Sequence, residues 1–175
     1  MATFASYPAI ASLTVSKDWT ADDNNVDHIY LDAGGAEEKE FPFNAKGFDL
    51  TVRAVDDGKQ ALVANKGVTF SLEANNFTTL AYVDPDGRNR PLSGIQLTGA
   101  HGTLNLTGDL TLTKGTSSLS RNSDLTITAQ NISMAVLRNN ASTANYTAQD
   151  HIQLDEIQNH YGSHLNVTAN TMEVN

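Results

Sequence analysis

The chain contains no cysteine, and this absence excludes a whole group of chemistries. Disulfide bonds, thiolate zinc sites and thiol nucleophiles all need the cysteine sulfur. The sequence also lacks an apolar run long enough for a membrane-spanning helix, and residues 1–7 lack the basic start and apolar centre of a signal peptide. These features suit either a cytosolic protein or a polypeptide that begins after an export signal, and the repeats described below favour the second.

Basic residues are scarce, with 11 Lys and Arg against 20 Asp and Glu, for a formal net charge of -9. A negatively charged surface repels nucleic acid phosphates and acidic lipid headgroups. We therefore expect no nucleic acid partner and no membrane insertion by this segment. A monomeric state is a separate expectation. The length of 175 residues suits one domain or part of a longer repeat array.

Helix signals are nearly absent, whereas short stretches of alternating apolar and polar residues are frequent. Examples are Phe48–Val52, Val68–Leu72 and Ile95–Leu97. Alternation with a period of two directs one set of side chains into a core and the other set into water, as in a half-buried strand. The sequence therefore predicts an all-β protein.

From about residue 103 these stretches recur at a nearly constant interval. Counted on a threonine that closes the first stretch of each repeat, the positions are Thr107, Thr128, Thr147 and Thr168. A polar corner follows each threonine, and then a second stretch: Leu110–Leu112, Ile132–Met134, Ile152–Leu154 and Met172–Val174. The corners carry Gly, Asn, Asp and Gln, several of which tolerate turn geometry. The interval is therefore roughly 20 residues, the length of one solenoid repeat.

A unit of this size cannot bury its own apolar face, and it becomes stable only when neighbouring units stack about 4.8 Å apart. The sequence therefore predicts a right-handed parallel β-helix (solenoid) of roughly 20-residue coils with an N-terminal cap. Two inward stacks are predicted, one of Leu106, Ile127, Tyr146 and Val167, the other of Leu112, Met134, Leu154 and Val174. Tyr146 points outward instead if Ala144 takes the inward place. A β-sandwich is the main alternative, but it does not require the same sequence at a fixed interval.

The two halves of the chain differ in aromatic content. Ten of the twelve aromatic residues precede position 83, and bulky rings suit the blunt end of a solenoid better than its narrow core. We therefore predict an N-terminal cap or irregular first coils over residues 1–47 and the solenoid over residues 48–175. Weaker repeats at Leu50–Ala54 and Phe70–Ala74 are predicted to lie one step apart. The chain ends within a predicted strand, so we expect the solenoid to be truncated there.

The segments Leu104–Thr113 and Leu125–Asn131 resemble the repeats of filamentous-haemagglutinin-type proteins and of autotransporter passengers. The resemblance covers residues 95–175 and, more loosely, residues 48–80. It implies a fragment of a secreted bacterial adhesin, exported by a Gram-negative cell through autotransporter or two-partner secretion. On that basis we expect an elongated binding or presentation scaffold at the outer-membrane surface, whose partners are surface glycans or proteins.

The segment between residues 83 and 94 interrupts the repeats and is the predicted binding loop. Its polar residues are Asp84, Asp86, Arg88, Asn89 and Arg90. Alternating oxygen groups are typical of a calcium loop, but the third acidic position and the distal glutamate are missing. Proline second and glycine fourth favour a tight turn instead. Loops that leave a regular solenoid commonly carry its variable contacts, so these residues are the candidates for ligand binding.

Other polar clusters are predicted to hold neither a metal nor a cofactor. The segment Asp22–His28 could hold a cation, but a solvated loop is the favoured interpretation. His160 and His164 would form a metal pair on a helix, but the intervening Tyr161–Ser163 favours a corner. No histidine has a plausible catalytic triad around it.

Carboxylates are the residues on which an enzymatic function would depend, since polysaccharide-cleaving β-helices gather them on neighbouring coils. Those of the repeat half fall mainly at corners and do not stack in the predicted register: Asp109, Asp124, Asp150, Asp155 and Glu156. We therefore predict that the chain is not an enzyme. The alternatives are a carbohydrate-active β-helix enzyme and a glycan-binding protein like a phage tailspike.

The predicted threonine column also resembles the hydroxyl arrays with which some solenoids bind ice. Its neighbouring column is mixed, consisting of Asn105, Thr126, Asn145 and Asn166. Stacked threonines are also a stable outer face for strands. An ordinary strand surface is therefore the favoured interpretation.

Overall fold

The computed structural model describes residues 29–54, 60–81 and 94–175, and of residues 13–14 and 19–20 the backbone alone. The secondary structure in these ranges consists of β-strands alone, so the prediction of an all-β protein is confirmed. The strands are β1 (Leu13–Thr14), β2 (Trp19–Thr20), β3 (Ile29–Leu31), β4 (Lys39–Ala45), β5 (Leu50–Arg53), β6 (Leu62–Ala64), β7 (Val68–Ala74), β8 (Phe77–Leu80), β9 (Gly94–Thr98), β10 (His101–Leu106), β11 (Leu110–Ser120), β12 (Asp124–Asn139), β13 (Thr143–Asn159), β14 (His164–Thr168) and β15 (Thr171–Val174). In this part of the chain no helix has the length and apolar character needed to cross a membrane.

Every strand pair found in these ranges is parallel, and the pairs form three ladders. The first ladder contains β1, β4, β7, β10, the beginnings of β12 and β13, and β14. The second contains β2, β5, β8, the beginning of β11, the middle of β12 and β13, and β15. The third contains β3, β6, β9 and the ends of β11, β12 and β13.

The chain visits the first, second and third ladder in that order and then returns to the first. We call one such passage a rung. The first corner of a rung connects the first ladder to the second, and the second corner connects the second ladder to the third. From β10 onward the register partners Leu104, Ile127 and Tyr146 follow one another at steps close to the predicted interval. Before β10 the steps are clearly longer, as between Leu62 and Ile95 in the third ladder. The predicted interval is therefore wrong for the first half of the described chain.

The two predicted stacks have different outcomes. Leu112, Met134, Leu154 and Val174 are register partners in the second ladder, as predicted. In the first ladder the partner of Ile127 is Leu104, so the prediction of Leu106 is wrong. The rung that contains β11 carries two extra residues, which lengthens the step into β12 and shifts the count.

The weaker repeats at Leu50–Ala54 and Phe70–Ala74 do not stack on each other, which corrects the prediction. Leu50 pairs with Phe77 in the second ladder, whereas Phe70 lies in the first ladder between Phe41 and Gly102. The two segments have similar sequences because both are half-buried strands. The division at residue 47 stays a prediction.

The core consists of the inward side chains of all three ladders. In β7 buried and exposed residues alternate without exception from Val68 to Ala74, as the sequence pattern predicts. In the first ladder Phe41, Phe70 and Gly102 are consecutive register partners. At Gly102 an added Cβ atom would overlap Cζ of Phe70, so the glycine provides the space that this ring occupies. The missing side chain lets the ring fit a narrow core at close-packed density.

The first corner is held by a ladder of acid and amide side chains that alternate from rung to rung. Asp49 Oδ1 accepts hydrogen bonds from the backbone and Nδ2 of Asn76, at 3.1 and 2.9 Å. Asn76 Oδ1 accepts from the backbone N–H of Asp109 at 2.7 Å, and Asp109 Oδ1 accepts from Nδ2 of Asn131 at 2.8 Å. Placing an amide between two carboxylates satisfies the corner backbone without bringing like charges together.

Candidate functional site

Two extra residues in β11 interrupt the parallel ladders at the second corner of its rung. Leu112 pairs with Met134 and Thr116 with Val136, so three residues of β11 lie opposite the single Ala135 of β12. Lys114, in the middle of the three, has a φ of 51°. The left-handed conformation costs a residue other than glycine roughly 1–2 kcal/mol. Arg121, Asn122 and Ala141 also have a positive φ, so it is the combination of this strain with the two extra residues that makes the insertion the starting point for a site.

A recess lies beside this insertion and crosses three rungs. Its polar wall is the outward column of the second ladder, formed by Thr111, Ser133 and Gln153. Lys114 stands at one end of the recess and Asp155, two rungs further on, at the other. Two strand spacings separate these rungs by about 10 Å. The recess therefore presents a cation and a carboxylate at the two ends of a row of neutral polar groups.

The side chains that line the recess are available to a ligand. Lys114, Gln153 and Asp155 are exposed, and none of the three forms a side-chain hydrogen bond or ion pair with another described residue. Leu112 and Met134 are also among the lining residues but are almost fully buried, so the partly exposed Ala135 is the apolar residue that a ligand can reach. Polar groups around a small apolar area are the usual composition of a small-molecule site.

Asp84, Asp86, Arg88, Asn89 and Arg90, the residues of the predicted binding loop, lie outside the described residues. The strands on either side are described: Thr79 of β8 pairs with Leu112, and Gly94 of β9 pairs with Thr116. Thr79 and Gly94 therefore lie one rung before the β11 insertion, on either side of it. The role of the loop in binding stays a prediction.

The carboxylates named from the sequence are distributed over separate corners. Asp109 accepts hydrogen bonds at the first corner, Asp124 lies 2.8 Å from Nδ1 of His101, and Asp150 accepts from Gln130. Only Asp155 lines the recess. The neighbouring Glu156 accepts a hydrogen bond of 2.6 Å from Gln158 in the third ladder. None of the five is the register partner of another.

His160 and His164 lie on a turn and at the start of β14, so they are not a helical pair. The backbone N–H of Ser163 donates to the carbonyl of His160 at 3.1 Å, which closes the turn. In the ranges that the structure describes, no three His, Asp or Glu side chains come together as metal ligands. The segment Asp22–His28 lies outside these ranges.

The predicted threonine column is partly wrong. Thr128, Thr147 and Thr168 are register partners, but the residue next to Thr128 in the preceding strand is Asn105, not Thr107. A different column was missed in the second ladder, where Thr20, Thr51, Thr78 and Thr111 are partners. The steps between its members are unequal and longer than the predicted interval, so no fixed interval could reveal it.

Lys114 is the functional candidate that the sequence interpretation did not identify. A signal was present in the sequence. Three residues, Thr113 to Gly115, separate the two alternating stretches of β11, whereas only Ala135 separates the corresponding stretches of β12. Recognising it required the register of β11 against β12.

The chain matches no protein-family model, no curated protein and no solved structure. Its function is therefore inferred from the ladders and the recess.

Proposed function

We propose that the chain is a segment of a right-handed parallel β-helix from a secreted bacterial surface adhesin, in which it serves as an elongated binding and presentation scaffold. The observation that carries the proposal is the repeated order of the three parallel ladders, in which the described strands pass from one rung to the next without antiparallel pairing. Each rung then adds about 4.8 Å to a rod. A rod of this kind can hold a binding surface away from a cell.

The handedness follows from general chain geometry. Connections between parallel strands of one sheet are right-handed in nearly all proteins, because a right-twisted strand packs back on the sheet only that way. Short corners leave little freedom for another path. Export through autotransporter or two-partner secretion from a Gram-negative cell belongs to the same proposal and rests on the sequence resemblance.

We further propose that the scaffold has no catalytic activity. General acid–base hydrolysis of a glycoside needs two carboxyl groups on either side of one bond, about 5 to 10 Å apart. Asp109 and Asp124 are each held by a partner side chain at different corners, and Asp155 faces Lys114 across the recess. This distribution favours a binding surface over a carbohydrate-active enzyme.

The proposal is tested by combining shape, binding and activity measurements on the whole chain. An experimental structure should show a monomer with parallel neighbouring strands, and immobilised chain should bind a component of a broad panel of glycans and extracellular matrix proteins. Glycosidase, lyase and esterase assays should show no turnover. Antiparallel neighbours in that structure contradict the β-helix, and hydrolysis of a polysaccharide contradicts the scaffold. A rod that binds nothing on the panel contradicts ligand binding by this segment and leaves it as a spacer.

A further inference from the structure

We propose that the recess beside the β11 insertion is a binding site for a short uncharged oligosaccharide, with Lys114, Gln153 and Asp155 as its polar contacts. The inference rests on the proposed function for its biological setting, because a surface scaffold needs a ligand. The site itself is argued from the geometry of the second corner.

The recess exists because β11 departs from the pattern of the two strands that follow it. At the same corner β12 has only Ala135 and β13 only Asp155, whereas β11 has Thr113, Lys114 and Gly115. The extra residues raise one wall of the recess and set Lys114 at its edge. The cost of the left-handed Lys114 is not offset by any side-chain partner of that lysine within the described chain. A bound ligand would supply the partner.

The lining has the mixture of groups that sugar hydroxyls require. A sugar hydroxyl both donates and accepts, so neighbouring hydroxyls are best bound by groups of both kinds. Lys114 only donates, the Asp155 carboxylate only accepts, and Gln153 does both. The hydroxyls of Thr111 and Ser133 lie in the same column as Gln153.

The base of the recess suits the C–H face of a sugar ring. Ala135 supplies a partly exposed methyl group there, whereas Leu112 and Met134 are almost fully buried. The polar ends are separated by two strand spacings, about 10 Å. A ligand of two or three sugar units is long enough to reach both.

Two other ligand classes fit the recess less well. An extended peptide would need free backbone groups at a sheet edge, but β12 is paired on one side with β11 and on the other with β13. A polyanion would meet one cation, Lys114, in a chain whose net charge is -9. An uncharged ligand avoids both difficulties.

The test measures binding of the 175-residue chain and its variants to an array of neutral, sulfated and uronic-acid glycans. The wild-type chain should bind one or more neutral oligosaccharides, and strong salt should leave this binding nearly unchanged. Asp155→Asn and Gln153→Ala should each weaken it about tenfold or more, the equivalent of losing one good polar contact.

Lys114→Gly separates binding from folding. Glycine adopts a φ of 51° without the steric cost of a side chain, so this variant should melt at or above the wild-type temperature while binding about tenfold more weakly. The matched controls are Lys66→Ala and Glu73→Gln, which alter an exposed cation and an exposed carboxylate away from the recess. Both controls should bind within about twofold of wild type, a difference well below one polar contact.

The outcomes separate this inference from the proposed function. Neutral glycan binding that survives all three recess variants overturns the site but leaves the adhesin proposal standing. Binding restricted to sulfated or uronic-acid glycans, or to a matrix protein, overturns the neutral saccharide and again leaves the adhesin proposal standing. A chain that binds no glycan and no matrix protein overturns the recess site and leaves only the spacer role.

Discussion

Tyr146 and Ser117 meet in the middle of the core, where Oη of the tyrosine lies 2.5 Å from Oγ of the serine. Tyr146 comes from the first ladder and Ser117 from the third, so the hydrogen bond crosses the interior from one sheet face to another. The tyrosine is 1% exposed and the serine is fully buried. Ser117 is the partner of Ile95 and Leu137 in an otherwise aliphatic column, and its small side chain leaves room for the phenol. Tyr146 and Ala144 are both buried, because residues two apart in a strand share a face, so the outward alternative for Tyr146 is wrong.

The first prediction concerns this pair. Tyr146→Phe and Ser117→Ala should each cost about 1–3 kcal/mol of unfolding free energy, because each leaves a buried hydroxyl without a partner. The double variant should cost less than the sum, since both hydroxyls are then gone. Urea unfolding of the four proteins in a double-mutant cycle measures the coupling. Additive costs would show that the two hydroxyls do not interact.

A second prediction follows from the burial of the same phenol. Desolvation raises the pKa of Tyr146, and the hydrogen bond with Ser117 lowers it only in part. The unfolded chain loses this proton near pH 10, before the folded chain does. The stabilising contribution is therefore complete below about pH 10 and is lost as the pH rises above it.

Tyr146→Phe is the reference for this pH effect, because it lacks the proton but keeps the ring. Above about pH 10 wild type should lose roughly 1.4 kcal/mol per pH unit more than Tyr146→Phe does, until the folded protein ionises as well. Unfolding at a series of alkaline pH values gives the two curves. Parallel curves would mean that the phenol is accessible to solvent in the folded state.

The phase of the alternation was predictable from the sequence, whereas part of the register was not. Leu125 and Ile127 are buried and Thr126 is exposed, as the period of two requires. The side-chain period depends only on strand geometry, so local sequence is sufficient. The register depends on the number of residues in every corner. Because the insertion at Lys114 adds two residues to one rung, the predicted interval places Leu106 opposite Ile127, where the structure has Leu104.

The third prediction tests that phase. Ile127→Asp places a charge without a partner in the aliphatic column and should cost about 4 kcal/mol or more. Thr128→Asp, one residue further on, keeps its charge near water and should cost much less. Thermal melting of the two variants is the measurement. Equal melting temperatures would contradict the inward direction of Ile127, which is fully buried.

The fourth prediction concerns the space that Gly102 leaves for Phe70. Gly102→Ala should destabilise the protein by about 1–3 kcal/mol, because the added Cβ atom overlaps the ring and the packed core cannot yield freely. Phe70→Leu removes the outer part of the ring. In that background the same alanine should cost clearly less. A cost that is independent of residue 70 would mean that the added Cβ atom clashes with a neighbour other than the ring.

The site was less predictable than the fold, for a physical reason. A repeat is visible in sequence because each rung solves the same burial problem with similar residues. A binding surface arises where rungs differ, and which differences lie together depends on the register. Gln153 and Asp155 follow Lys114 only after two further rungs of the chain, yet they line one recess with it. Only the paired strands bring them together.

The last prediction concerns the loop between β8 and β9. Deleting Asp84 to Arg90 should weaken ligand binding and leave the melting temperature nearly unchanged, because β8 ends at Leu80 and β9 begins at Gly94, so no described strand is shortened. Shortening a surface connection changes its closure entropy only slightly. Isothermal titration with the ligand found in the screen, beside thermal melting, measures both quantities.

The deletion also distinguishes binding by the loop from binding by the recess. Loss of binding in the deletion and retention in Lys114→Gly would assign the ligand to the loop. The reverse result would assign it to the recess, and loss in both would indicate one continuous surface. A large fall in melting temperature would contradict a loop that lies outside the ladders, since the strands on both sides would then depend on it.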